Sequence, residues 1–124
     1  MTSKAEWIAL AERCEKATAA SSVLSKDIVA AMGYSWRGMA YWSDDNRTTW
    51  VGSVDLTYSL DAITALIERE LPEVRWVCRT DTLGGFGNLY RRRNPDRSWP
   101  CFAFTPALAL CAAFCRAMAE KVTT

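Results

Sequence analysis

Near the C-terminal end, Thr105-Pro106 leads into Ala107 to Lys121 with no glycine and no second proline. Threonine is a good N-cap, and proline suits the first helical position because its φ is already helical and its missing N–H would have no partner there. The pair therefore predicts a helix start. At about 100° per residue, Ala107, Leu110, Cys111, Phe114, Cys115 and Met118 share one side, with Ala109, Ala112, Ala113, Arg116 and Glu120 on the other. A helix with that apolar face constrains everything before it, because the remaining elements must cover it.

From Lys4 to about Ala20, Trp7, Leu10, Ala11, Cys14, Ala17 and Thr18 recur at helical spacing, separated by charged residues. Ser21-Ser22 interrupts this helix. Leu24, Ile28, Ala31 and Met32 then share a face before Gly33, a suitable C-cap, so the two pieces form either a helical hairpin or one bent helix. Tyr34 to Trp50 has no clean period, and its reading is an aromatic-rich loop followed by a short strand at Thr48 to Val54. Ser59 caps a helix over Leu60 to Leu71, and Pro72 stops it.

Val74 to Thr80 alternates, with Val74, Trp76 and Cys78 on one face and Arg75, Val77 and Arg79 on the other. Asp81 to Gly85 reads as a turn, Phe86 to Arg92 as a second strand, Asn94 to Ser98 as a turn and Trp99 to Phe104 as a third strand. The predicted fold is α+β: an N-terminal helical segment (1–33), an aromatic-rich loop with a short strand (34–57), then helix, three-stranded antiparallel meander and helix (58–121), in one domain.

A chain of 124 residues is long enough for a sizeable core without staples. Half its residues are hydrophobic and its formal charge is +1, which fits neither a disordered acidic chain nor a strongly basic nucleic-acid coat. Met1 to Trp7 has no apolar signal-peptide core, and no run reaches the roughly 20 apolar residues of a membrane span, so a soluble cytoplasmic protein is expected. The five cysteines show no CxxC spacing, and the chain has no histidine. They read as reduced, buried small hydrophobes. The competing arrangement is an all-cysteine site built from Cys78, Cys101, Cys111 and Cys115; no metal or other cofactor is expected.

Three blocks, Leu24 to Tyr34, Tyr58 to Leu66 and Thr105 to Ala113, together resemble the small phage and prophage proteins grouped as phage alpha-beta-alpha (ABA) sandwich domain proteins. The resemblance implies a phage or prophage origin, a place in the cytoplasm of the bacterial host and an alpha-beta-alpha sandwich. It implies no catalytic residues, and the matching positions are caps and core, which specify fold more than activity. The Trp36 to Trp50 insert and the run Arg91-Arg92-Arg93 depart from the group's pattern.

Without histidine, Ser-His-Asp and Cys-His nucleophile arrangements are excluded. Gly84-Gly85-Phe86-Gly87 lies between strands, so no helix N-terminus follows it to hold a phosphate, and Ser43 to Asn46 lacks the spacing and glycine of an EF-hand. The chain is read as a non-enzyme. Helix-meander-helix is also the order of double-stranded-RNA-binding domains, but the last helix begins Thr-Pro-Ala-Leu where such domains carry phosphate-binding lysines. A helix-turn-helix over Lys26 to Tyr41 is weakened by Gly38 inside its second helix.

The residues that exceed what the fold needs are Arg91, Arg92, Arg93 and Arg97 around a hairpin, Arg75 and Arg79 on the neighbouring strand, and Trp36, Trp42 and Trp50 in the loop. Such residues suit an anionic or flat partner, against the simpler readings of a solvated hairpin end and rings folded inward as a lid. The expected function is binding to a host protein or complex, as an inhibitor of a host defence complex such as a CRISPR effector. The alternatives are a nucleic-acid- or nucleotide-binding module and a structural or assembly protein.

Overall fold

The computed structural model describes residues 2–36, 40–43, 49–51, 55–82 and 84–123, of which 34–36, 40–43, 49–51, 81, 95, 122 and 123 are described through their backbone alone. The element order is α1 (Lys4–Lys16), α2 (Ser22–Ala31), β1 (Tyr34–Trp36), β2 (Ala40–Ser43), β3 (Thr49–Val51), α3 (Leu60–Glu70), β4 (Val74–Asp81), β5 (Gly84–Arg91), β6 (Asn94–Ala103) and α4 (Pro106–Thr123). The fold is α+β, and helix, meander and helix follow one another from α3 onward as expected. Among the described residues no helix is long and apolar enough to cross a membrane.

Each of these helices starts on a hydroxyl. Ser3, Ser21, Ser59 and Thr105 each accept a hydrogen bond from the backbone N–H three residues on, at Glu6, Leu24, Ala62 and Leu108, all at 3.2 Å. One of the otherwise unpaired donors at each helix start is thereby satisfied. The serines at 21 and 22 thus divide two separate helices: α1 ends at Lys16, and Ser21 caps α2.

The aromatic-rich segment differs from its sequence reading. Instead of a loop with one short strand, β1, β2 and β3 form a small antiparallel meander, with Trp36 opposite Tyr41 and Tyr41 opposite Trp50. Aromatic and β-branched residues favour extended backbone, but strands of three and four residues are too short to show a period. A strand follows Gly33, whose φ is +95°, so the described backbone at 34–36 and 40–41 excludes a recognition helix there.

α4 is the centre of the molecule. Ala107 through Cys115 are all buried, including the alanines that the helical wheel assigned to the outer side. β4, β5 and β6 cover one side of α4, α1 a second and α3 a third. The close approach to the sheet depends on two glycines. A Cβ on Gly87 would lie 2.8 Å from Leu110 N and 2.9 Å from Ala109 C, and one on Gly85 only 2.1 Å from Thr105 C. Alanines on the helix and glycines on the strand bring the two backbones into direct contact, which is why the small-residue side of α4 is as buried as the large-residue side.

Against α1, α4 packs Phe114 edge-on to Trp7, with ring centroids 6.1 Å apart at 85°. Arg116 donates to Glu15 at 2.5 Å across the same interface. Asp55 to Thr57 ties α2 to α4 through Leu56, which is fully buried. The Leu56 N–H donates to Ser25 Oγ at 2.8 Å, and the Leu56 carbonyl accepts from Cys111 Sγ at 3.1 Å. Both peptide groups of this buried loop residue are thus satisfied.

Candidate binding surface

Strand alternation sorts the second meander into two faces. Gly85, Gly87, Leu89 and Cys101 are buried on the α4 side. On the other side, antiparallel register aligns three rows across β4, β5 and β6: Arg79–Phe86–Phe102, Val77–Asn88–Pro100 and Arg75–Tyr90–Ser98. The assignment of Arg75, Val77 and Arg79 to one face agrees with the alternation in the sequence. No described element covers these rows, and they contain no carboxylate.

The open face has a definite texture. Phe102 is 62% exposed and Val77 43% exposed. Phe86 and Phe102 are cross-strand neighbours with centroids 5.0 Å apart and planes tilted at 52°. The Arg79 guanidinium carbon lies 4.7 Å from the Phe86 ring centroid, a cation–π contact that holds the charge against the aromatic pair. Phe104, one residue beyond β6, is exposed as well.

The arginines proposed from sequence do not form one cluster. Arg91 pairs with Asn94 in the β5–β6 ladder, so Arg92-Arg93 make the hairpin turn that sequence placed at Asn94 to Ser98. Arg91, Arg92, Arg93 and Asn94, with Pro72 and Glu73, line a cleft of about 550 Å³ at this end. The Arg92 N–H donates to the Glu73 carbonyl at 3.1 Å, fixing the turn against the loop that follows α3. Among the described residues, no carboxylate forms an ion pair with Arg75, Arg91, Arg92 or Arg93.

Arg97 is held elsewhere. The register jumps from Tyr90↔Ser98 to Arg91↔Asn94, so residues 95–97 bulge out of β6. Arg97 pairs with Glu120 of α4 at 2.5 Å, and Trp99 Nε1 donates to the same carboxylate at 2.8 Å. Arg97 therefore binds the meander to its helix and is not part of the open face. The side chains of Trp36, Trp42 and Trp50 lie outside the described residues.

The cysteines group differently from the quartet considered in sequence. Cys14 of α1 lies with Cys111 and Cys115 of α4, all fully buried, while Cys78 sits half-buried on β4. Burial pushes Cys111 and Cys115 well above the ordinary thiol value, and pushes Cys101 up to about 11. Thiol hydrogen bonds from Cys111 and Cys115 draw Cys14 the other way. Among the described residues, no group of three or more Cys, Asp or Glu has the arrangement of a metal site. Glu15, through its hydrogen bond, holds the Arg116 guanidinium above its ordinary value.

The start of α4, where a double-stranded-RNA-binding domain would reach phosphates, is packed against Gly85 and carries no lysine. The residues missed in sequence are Phe86, Phe102 and Tyr90. Their alternation is visible in each strand, but the rows that bring them beside Arg75 and Arg79 depend on pairing register, which the misplaced turn obscured. Comparison with protein-family models, with curated proteins and with solved structures finds no match for this chain.

Proposed function

We propose that this protein acts by binding rather than by chemistry, as a small phage or prophage accessory protein whose target is a host defence complex such as a CRISPR effector. The open face of the β4–β5–β6 meander supports this reading. It places Arg79 against Phe86 beside the exposed ring of Phe102, and Arg75 opposite Tyr90, with no carboxylate in its three rows. Core packing does not require charged and aromatic residues on that side, since α4 fills the opposite one. A face of this composition attracts an anionic partner at a distance and holds it with aromatic contacts. The phage origin rests on the resemblance of the three sequence blocks.

The test is affinity purification from a bacterial host lysate, with wild type beside Arg75→Glu/Arg79→Glu. Wild type recovers a defence complex and the charge-reversed variant loses it. Recovery of the same set by both proteins, or of no host complex by wild type, overturns the proposal.

A further inference from the structure

We infer that the open face of the β4–β5–β6 meander is a binding site for single-stranded nucleic acid, with bases stacked on the exposed ring of Phe102 and phosphates held by Arg75, Arg79, Arg92 and Arg93. This rests on the reading above that the open face is the binding surface, and specifies what lies on it.

Charge selects among occupants first. A second copy of the chain would set Arg75 and Arg79 against the same two arginines, with no carboxylate in the facing rows to neutralise them. An occupant must therefore bring its own negative charge, and it must also cover aromatic rings that stand in water. A nucleic-acid strand carries a phosphate and a flat π-surface in every unit, so it satisfies both demands along its whole length.

Geometry then selects a single strand over a duplex. Arg79 and Arg75 lie four residues apart on β4, about 13 Å at strand rise. Tyr90 stands opposite Arg75 in the same row, and the Arg92-Arg93 turn lies beyond it. The basic groups thus follow one line along the sheet, with Phe86 and Phe102 at one end and Tyr90 towards the other. That line suits about four to six nucleotides of an extended strand. A duplex hides its base faces from Phe102, and its grooves are read by an inserted helix, ribbon or loop. On this molecule the start of α4 is packed against Gly85 and is not available for insertion.

The same face predicts little sequence preference. Asn88, the amide of the central row, has its Oδ1 engaged by the backbone N–H of Trp99 at 3.1 Å, which leaves only its NH2 to meet a base edge. Stacking and phosphate contacts then dominate, and both tolerate any base.

Fluorescence anisotropy with end-labelled oligo-dT and oligo-U of about twelve nucleotides, and a mixed-sequence duplex of equal length, tests this directly. Both single strands bind, and the duplex binds at least about tenfold more weakly. Four phosphate contacts give a slope near −2.8 in log K against log salt, about a 50-fold loss between roughly 50 and 200 mM. Phe102→Leu keeps an apolar side chain without a ring and weakens binding about tenfold with the slope unchanged. Arg75→Gln/Arg79→Gln weakens binding and roughly halves the slope. Circular dichroism confirms that each exposed-face variant is folded.

The inference is overturned if folded wild type binds neither single strand, if duplex and single strand bind equally, or if Phe102→Leu binds as wild type does. The two readings also separate. If oligonucleotides fail while a nuclease-treated lysate still yields a defence complex to wild type and not to Arg75→Glu/Arg79→Glu, the nucleic-acid assignment falls and the binding surface stands.

Discussion

Gly85 and Gly87 set the distance between the sheet and the central helix, because each occupies a place where any side chain would meet α4 backbone rather than a yielding side-chain end. Gly87→Ala is expected to lower stability by about 1–3 kcal/mol, the range of an overpacked core, and to shift the urea midpoint accordingly. The buried thiols make a separate prediction. An unfolded thiol ionises near pH 9.0, whereas burial holds Cys101 at about 11 and Cys111 and Cys115 well above 9.0. As pH rises past that point, the unfolded chain releases protons that the folded protein keeps, so stability falls on the alkaline side. Cys14 is drawn the other way, to about 5, so its contribution grows with pH up to about 9 and is level above it, where the loss sets in. Urea midpoints between about pH 9 and pH 10 should decline less steeply for Cys101→Ala than for wild type, because that thiol is raised chiefly by burial and is not one of those that lower Cys14.

At the scale of elements, the hydroxyl caps are small, separable contributions. Ser59→Ala and Thr105→Ala each remove the acceptor for one N–H at a helix start, and each should cost about 1 kcal/mol in chemical denaturation. These caps were legible in the sequence, as were α3, α4 and the two faces of β4, because each depends on residues close together in the chain. The all-round burial of α4 was not legible. A row of alanines reads the same whether it faces water or a strand, and only the spaced glycines Gly85 and Gly87 on a distant segment distinguish the two. The arginines show the same limit at the candidate surface. Arg75 and Arg79 were placed by local alternation, while Arg97 was redirected to Glu120 by a bulge whose presence depends on the partner strand. The short strands β1 to β3 lacked the length to reveal a period.

At the scale of the whole molecule, buried and open aromatic rings carry different weight. Phe114 is buried against Trp7, so Phe114→Ala should cost about 3–5 kcal/mol, whereas Phe102→Leu should stay within about 0.5 kcal/mol of wild type in the same denaturation experiment. The contact between α1 and α4 has a consequence in time. Glu15 and Arg116 meet across 101 positions of chain. The meander can zip locally, strand beside strand, but the core closes only when a segment from near one end has been carried to one near the other. The entropy of that closure precedes most of its reward, so refolding is expected to be slower than helix formation, which stopped-flow refolding followed by circular dichroism and by fluorescence would check. A chain lacking α1 would keep every strand of the meander and still expose the Phe114 side of its central helix, leaving an adhesive intermediate instead of a smaller domain.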